Sequence, residues 1–478
     1  MKLIKIIFIF LFAFSLKTEA DVVLPRVLGH QMVLQQQKPI VIWGKANVGE
    51  QISVFFASES ALTTADEKGD WKVILNPLKA SFENRNMTIK GSNTIVLKDI
   101  LVGEVWLCSG QSNMEYTMRK NSKVDAEQAK GLNPSPINEL DFANYPNIRL
   151  FLVNRKELVK PSLEHEGWDI AEGTALRNFS AVGYFFAKNI HKDLNVPVGI
   201  IASSVPGSRI EPWINEEDFT KSAYFKDKNI EGDPAKFYHP MIEPLIPFAI
   251  KGFLWYQGES NCFLKERINY TEKMKVLIEG WREDWGDQLP FYYVQIAPFQ
   301  YSSSEGEIKY NQYDLPEFWE AQSAALKIEN AGMAVITDLF DGGGGIHPGY
   351  KWEVGRRLAL IALNKTYGQK LISSGPVYHK MKIRDHKLVL YFDHAKGLKS
   401  KDDKPLDFFE LAGFDGIFFP AKAEIKGKKI VLTSFKIDNP SNARFGWEET
   451  AQPNLVNTAN LPPSAFRTNN QIIKQFNP

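Results

Sequence analysis

The stretch VWLCSGQSNM, residues 105–114, decides the fold. Its first half is an apolar run with the length of a strand buried on both faces, and its second half begins with Gly110 and turns polar. A serine placed between a buried strand and a helix start exposes its hydroxyl group close to backbone N–H groups that can stabilise an oxyanion. Ser112 is therefore a candidate nucleophile, and a serine that only caps a helix is the alternative.

Three further apolar runs in the middle of the chain have the same character, at residues 198–202, 252–256 and 333–336. Segments with helical periodicity lie between them, at residues 180–194 and 270–284. Strands and helices that alternate in this way predict a parallel sheet covered by helices on both sides. Because ligands bind outside the carboxyl ends of such strands, the loops that follow the strands are where a site is expected.

Both ends of the chain show the shorter apolar–polar alternation of antiparallel sheets, interrupted by turn residues. The alternating runs are residues 40–43, 51–56, 71–75 and 93–97 before the middle, and 382–384, 387–392 and 429–432 after it. The predicted division is an N-terminal β-sandwich domain at residues 21–101, an α/β domain at 102–366 and a β-rich C-terminal domain at 367–478.

The first twenty residues are typical of a secretory signal. Lys2 and Lys5 precede an apolar stretch at residues 6–16, and the segment TEA (18–20), which ends in a small residue, precedes Asp21. The apolar stretch is too short to span a bilayer. The sequence therefore predicts an exported protein, periplasmic or extracellular after removal of residues 1–20, without a membrane span.

The composition is that of an ordinary globular protein, with 44% hydrophobic residues in a chain of 478. The 57 basic and 56 acidic residues leave a net charge of +1, so no overall field favours nucleic acid or an anionic membrane as a partner. Export permits a disulfide between the two cysteines, Cys108 and Cys262, and two buried free thiols are the alternative.

Three more polar segments follow apolar runs or precede a helix. His347 stands on a short loop, where an imidazole can take a proton from a serine and return it to a leaving alcohol. Gly207 can bring a backbone N–H group close to a substrate. In the segment after residue 256, the amides of Gln257 and Asn261 could complete an oxyanion hole, and Glu259 could bind a sugar hydroxyl group or support a neighbouring side chain.

These segments together resemble the sialate O-acetylesterases, a family within the SGNH hydrolase superfamily, over nearly the whole chain after residue 20. The segments that carry the resemblance are HQMVLQ (30–35), GEVWLCSGQSNM (103–114), IEPW (210–213), KGFLWYQGESN (251–261), IHP (346–348) and LPPSAFRT (461–468). The resemblance implies a flavodoxin-like three-layer α/β/α domain with flanking β-sandwich-type domains. It also implies an O-acetylated carbohydrate as substrate, with no metal and no organic cofactor.

By the same resemblance, Ser112 is the nucleophile, His347 the general base and Gly207 an oxyanion donor, and Gln257 and Asn261 belong to a third motif. Many SGNH enzymes orient the histidine with an aspartate three residues before it, and this chain has Gly344 there. Asp341 is the preferred substitute and Asp338 a further candidate. A Ser–His dyad oriented by a backbone carbonyl is the open alternative.

The predicted activity is therefore hydrolysis of O-acetyl groups from sugars, with O-acetylated sialic acids as the first expectation. An acetylesterase that acts on xylan, pectin or another polysaccharide is one alternative, with the aromatic residues Trp213, Trp255 and Tyr256 as candidates for stacking on sugar rings. A carbohydrate-binding protein with a degenerate hydrolase core is another. Oligomeric state, the acetylated position and the sugar itself are not predicted by these residues.

Overall fold

The fold is described from a computed structural model, in which residues 21–124, 135–153, 155, 167–340 and 345–478 are placed well enough to describe. These residues form an N-terminal β region, a central α/β region and a C-terminal β region. The predicted signal segment, residues 1–20, lies outside the described residues.

The N-terminal region consists of one two-stranded sheet and of strands that belong to the large sheet, and strands from both show the alternating burial expected from the sequence. Strands β2 and β5 pair with each other, whereas β1, β3, β4 and β6 belong with β7 to a larger sheet. The strands are β1 (Val33–Gln35), β2 (Ile40–Lys45), β3 (Gln51–Phe56), β4 (Glu59–Thr64), β5 (Asp70–Leu75), β6 (Ser81–Lys90) and β7 (Thr94–Gly110).

Strand β7 joins the N-terminal and central regions, because its 17 residues belong to two sheets in succession. Its first part pairs with β6. Residues from Glu104 to Gly110 pair with a central strand on one side, and those from Trp106 to Gly110 also pair with a central strand on the other side. The predicted domain boundary between residues 101 and 102 thus falls inside one continuous strand.

The central sheet is parallel except at one edge. Its further strands are β8 (Tyr145–Leu152), β9 (Trp168–Ala171), β10 (Val198–Ser204), β11 (Gly252–Tyr256), β12 (Phe291–Val294) and β13 (Ala331–Ala334). The order across the sheet is β13-β12-β11-β7-β10-β8-β9, and only β9 runs antiparallel to its neighbour. Counting β7, β10, β11, β12 and β13 in chain order gives 2-1-3-4-5, the flavodoxin-like order, which confirms the predicted fold class. Strands β8, β9 and β12 were not predicted, and β13 begins two residues earlier than expected.

The helices complete a three-layer arrangement. They are α1 (Ser112–Glu115), α2 (Met118–Asn121), α3 (Glu139–Phe142), α4 (Gly173–Asn178), α5 (Ala181–Leu194), α6 (Glu216–Lys221), α7 (Tyr238–Met241), α8 (Glu259–Cys262), α9 (Ile268–Trp285), α10 (Asp314–Ala324), α11 (Lys351–Lys365) and α12 (Ile472–Gln475). Alternate side chains of β11 point to opposite faces: Leu254 packs with α5 and α11, and Phe253 packs with α9 and α10. Both faces are apolar, which explains the uninterrupted apolar runs in the sequence.

The C-terminal region is a sandwich around its own core. Its strands are β14 (Val377–Arg384), β15 (Lys387–Asp393), β16 (Lys399–Ser400), β17 (Phe409–Ala412), β18 (Phe418–Pro420), β19 (Lys422–Lys426), β20 (Lys429–Thr433), β21 (Asn442–Phe445), β22 (Leu455–Val456) and β23 (Phe466–Arg467). The antiparallel sheets β14-β15-β20-β19 and β18-β17-β21-β23 contribute Leu390 and Leu411, among others, to one shared apolar cluster.

Both cysteines are buried free thiols. Of the two predicted alternatives, the structure therefore has the pair of free thiols and not the disulfide. Cys108 lies on β7 and Cys262 ends α8, and burial raises the pKa of the Cys108 thiol to about 12. No helix within the described ranges is long and apolar enough to cross a bilayer.

Candidate active site

The turn that presents Ser112 forms where the strand order of the central sheet reverses, between β7 and β11. Strand β7 ends at Gly110, and α1 begins two residues later with Ser112, whose side chain is partly buried. Gly110 has φ +136°, and a Cβ atom there would lie 2.2 Å from the carbonyl oxygen of Tyr256. Only glycine permits this close approach of the ends of β7 and β11. The turn that carries Ser112 therefore begins at the edge of the sheet.

His347 is placed to act on Ser112. Its Nε2 atom lies 2.8 Å from the Oγ atom of Ser112, a hydrogen-bonding distance, although the residues are 235 positions apart. His347 is an exposed residue, but part of its ring is covered by protein. Desolvation of the charged form is the largest cause, and together with the cations of Lys351 and Lys120 it lowers the pKa of the imidazole to about 4. A neutral imidazole can accept the serine proton.

Among the described residues, no side chain is hydrogen-bonded to the Nδ1 atom of His347, and the two predicted ways of orienting the ring, by an aspartate or by a backbone carbonyl, stay open. Asp341 and Gly344 lie outside the described residues, so the assignment of Asp341 stays a prediction. Asp338 is engaged elsewhere, because its two oxygens accept hydrogen bonds of 2.6 and 2.7 Å from the buried guanidinium of Arg357.

The loop after β10 brings Gly207 to the same sheet edge. Ser204, the last residue of β10, pairs with Gly110, and the N–H group of Val205 donates to the carbonyl of Gly110. Gly207 is exposed with φ +72°, and its carbonyl accepts a 3.0 Å hydrogen bond from Ser260 Oγ. Its own N–H group has no backbone acceptor among the residues that the structure describes.

Gln257 and Asn261 are fully buried and bind protein groups rather than facing the solvent. The Nε2 group of Gln257 donates to Asn261 Oδ1 at 2.7 Å and to the Ser208 carbonyl at 3.2 Å. The Nδ2 group of Asn261 is shared between the carboxylates of Glu211 and Glu266. Because these donors are occupied, both amides hold the loop that carries Gly207, and in this arrangement neither offers an N–H group to an oxyanion.

Glu259 is also buried, at 2% exposure, and accepts a 2.5 Å hydrogen bond from Asn113 Nδ2. Burial raises the pKa of its carboxyl group to about 7, against the hydrogen bond from Asn113 and the cation of Lys351. Of the two predicted roles, support of a neighbouring side chain fits this position, because a buried carboxylate is closed to a sugar hydroxyl group.

The prediction that Trp213, Trp255 and Tyr256 stack on sugar rings is wrong. Their exposures are 0%, 1% and 0%, because the rings fill the two apolar layers against the sheet. Trp213 and Trp255 pack edge to face with centroids 6.1 Å apart.

Two residues of the site escaped the sequence argument. Asn113 lies in the strand-to-helix turn and Lys351 follows the loop of His347, but the sequence predicts no role for either side chain. The Nζ atom of Lys351 lies 2.6 Å from the Oδ1 atom of Asn113. No spacing in the sequence indicates a contact across 238 positions. Among the described residues, no group of three or more His, Cys, Asp or Glu side chains is arranged to hold a metal ion.

Comparison with known proteins places this geometry in a family. A family model for carbohydrate esterases, described as sialic acid-specific acetylesterase, matches residues 102–359. The sialate O-acetylesterase of Homo sapiens is 31% identical over 428 residues, 80% of this chain and 79% of the human protein. That of Rattus norvegicus is 28% identical over 455 residues, 80% of each chain.

A solved structure agrees over almost the full length. The crystal structure of a carbohydrate acetylesterase from Xanthomonas citri is 34% identical, with a TM-score of 0.82, and the match covers 94% of this chain and 100% of that one. The family model spans more than half of the chain and contains Ser112, Gly207 and His347. The chain therefore belongs to the sialic acid-specific acetylesterase family of carbohydrate esterases and is a carboxylic ester hydrolase.

Proposed function

We propose that this esterase removes O-acetyl groups from sugars through an acyl-enzyme formed on Ser112, with His347 as general base. The observation that carries the proposal is the 2.8 Å contact between His347 Nε2 and Ser112 Oγ at the edge of the central sheet. A nucleophile and a base within hydrogen-bond reach are the minimum for this chemistry.

The reaction divides into two acyl transfers. His347 takes the proton of Ser112 while the serine oxygen attacks the acetyl carbonyl carbon, and the tetrahedral intermediate collapses when the imidazolium gives that proton to the departing sugar oxygen. Water, deprotonated by the same imidazole, then attacks the acetyl-serine, and acetate leaves as Ser112 regains its proton. In each half of the cycle the imidazole passes on the proton that it has just accepted, to the sugar oxygen in the first half and to Ser112 in the second, so the enzyme ends the cycle unchanged.

Backbone N–H groups of Ser112 and Gly207 are the proposed oxyanion donors. Both belong to loops that β7 and β10 bring together, and the buried amides of Gln257 and Asn261 support the second loop. A donor aimed at the developing charge typically contributes about 3 kcal/mol, so its loss slows the reaction by roughly a hundredfold or more.

The proposed substrate is an O-acetylated sialic acid. The matched family is described as specific for sialic acid, and the human and rat relatives are named sialate O-acetylesterases. An acetylated neutral polysaccharide such as acetylxylan is the second candidate, favoured by the Xanthomonas citri relative, which is described only as a carbohydrate acetylesterase.

Parallel assays separate the substrates and test the mechanism. Acetate release would be measured from O-acetylated sialic acid and from acetylxylan, with the wild-type protein and with Ser112→Ala and His347→Ala. We expect sialic acid esters to be preferred, and each substitution to lower kcat by about 10⁶-fold. Retained hydrolysis in Ser112→Ala contradicts the mechanism, and preference for acetylxylan contradicts the substrate. Equal background rates in both forms would favour the carbohydrate-binding alternative.

We also propose that the protein is exported. The order of charged, apolar and small residues in positions 1–20 supports this. The test is N-terminal sequencing of the mature protein recovered from its cellular fraction, which is expected to begin at Asp21. A cytoplasmic protein that retains Met1 would contradict the proposal.

A further inference from the structure

The side chain directly after the nucleophile reaches across to the loop of the base. Asn113 is completely buried, and its Nδ2 group donates to the carbonyl of Ile346 at 3.0 Å as well as to Glu259. Ile346 immediately precedes His347. One short, rigid side chain therefore connects the turn that carries the nucleophile with the loop that carries the base.

Lys351 holds the other side of the same loop. It is the first residue of α11, is 0% exposed, and donates from Nζ to the carbonyl of Pro348 at 2.6 Å and to Asn113 Oδ1 at 2.6 Å. Its ammonium group also lies 4.8 Å from the ring centroid of Tyr116. The carbonyl groups on both sides of His347 are thus bound by two side chains that are themselves bound to each other.

Glu259 sets the direction of the asparagine amide. Its Oε1 atom accepts from Asn113 Nδ2, so the Nδ2 group faces Glu259 and Ile346, and the Oδ1 atom is turned toward Lys351. A flipped amide would set its oxygen against the carboxylate and the Ile346 carbonyl, and its donors against an ammonium group. In its ionised form the carboxyl group of Glu259 also offsets the buried positive charge of Lys351.

We propose that Asn113 and Lys351, with Glu259 behind them, are positioning residues that set where His347 stands relative to Ser112. The inference rests on the proposed function, because it assigns the network a role only if the Ser112–His347 pair is catalytic. None of the three side chains needs to touch the substrate. Displacement of a reacting group by about 1 Å can lower a rate by roughly a hundredfold. Hydrogen bonds to the two carbonyl groups beside His347 therefore support catalysis by keeping the imidazole in place.

The experiment compares Asn113→Ala, Lys351→Met and the double variant, by kcat and KM for a neutral aryl acetate. We expect each single variant to lose about a hundredfold in kcat with KM changed less than about threefold, because the loop shifts and the acyl-binding surface does not. The double variant should lose no more than the worse single variant, because both substitutions release the same loop.

Asn457→Ala is the matched control for folding. Asn457 is a fully buried asparagine of the C-terminal region that likewise donates to a carbonyl, that of Ser374 at 2.8 Å, and accepts from backbone N–H groups. The Asn457→Ala variant is expected to lower the melting temperature as much as Asn113→Ala does, while leaving kcat unchanged. If Asn113→Ala does not fold, Asn113→Asp keeps the volume and the acceptor for Lys351 but loses the donor to Ile346, and the same loss of kcat is expected.

Ser112→Ala, measured in the same series, separates two kinds of failure. If it is inactive while folded Asn113 and Lys351 variants keep kcat within about threefold of wild type, the positioning proposal is overturned and the proposed function stands. If Ser112→Ala hydrolyses the ester at the wild-type rate, the proposed function itself is overturned and the positioning role falls with it. Additive losses in the double variant would contradict a shared loop.

Discussion

The acid limit of the esterase activity is the most direct test of the site geometry. His347 must be neutral to accept the serine proton, so kcat/KM falls as the pH drops through the pKa of this imidazole in the free enzyme. Desolvation and the cations of Lys351 and Lys120 lower that pKa to about 4 from the usual 6.5. A lowered pKa extends the activity toward acid, so the falling limb lies well below pH 6.

The size of the effect follows from the neutral fraction of the imidazole. At about pH 5.5 a histidine with a pKa of 6.5 is roughly one-tenth neutral, whereas one with a pKa near 4 is more than nine-tenths neutral. The ratio of kcat/KM at about pH 5.5 to that at about pH 7.5 is therefore roughly 0.1 for an imidazole with a pKa of 6.5 and about 1 for one with a pKa near 4. Because the carboxyl group of Glu259, with a pKa of about 7, titrates in the same interval, the ratio is also measured in Glu259→Gln, which lacks that group. A neutral aryl acetate, with acetate release measured by chromatography, avoids titration of the substrate and of a coloured product.

A surface substitution tests one cause of the shift. Lys120→Gln removes a cation whose side chain is 47% exposed, so the acid limb is expected to move upward by only a few tenths of a pH unit, less at high salt. The exposed neighbour Lys123 serves as the charge-matched control, because it is not among the groups that lower the pKa of His347. A wild-type enzyme that loses half of its kcat/KM near pH 6.5 would refute the reasoning.

Two further predictions concern stability in urea or heat. Gly110→Ala is expected to cost about 3 kcal/mol or more, because the new methyl group meets a backbone oxygen at 2.2 Å, whereas Gly207→Ala, with open space around it, costs only the roughly 1 kcal/mol of a positive φ. Equal losses would show that the two strand ends can separate. Arg467→Met removes the ion-pair partner of Glu320, which is 1% exposed, and is expected to lower the free energy of unfolding by about 3 kcal/mol. Lys236→Met, which breaks an exposed ion pair, is the control and is expected to lower it by about 0.5 kcal/mol or less. A small loss at Arg467 would mean that Glu320 is protonated or hydrated.

The sequence by itself determined the fold class and the two central residues of the site. Apolar runs of four or five residues that alternate with segments of helical periodicity predict a parallel sheet covered by helices, because few other folds bury such strands on both faces. The helix predicted at residues 180–194 agrees closely with α5 (Ala181–Leu194). Ser112 and His347 could be predicted because each stands beside a local signal. Ser112 follows a strand that ends at a glycine, and His347 lies on a loop before a helix. The resemblance to a known family added the link between them.

Only the tertiary structure decided which polar side chains at the strand ends are available for chemistry. Gln257, Glu259 and Asn261 follow a buried strand just as Ser112 does, but their partners lie on other segments of the chain and bury them. The contact of Asn113 with Ile346 joins positions 233 apart, and no local pattern encodes it. Whether a side chain is buried or hydrogen-bonded depends on the distant segments that pack against it. The role of a side chain at the site therefore follows from the tertiary structure.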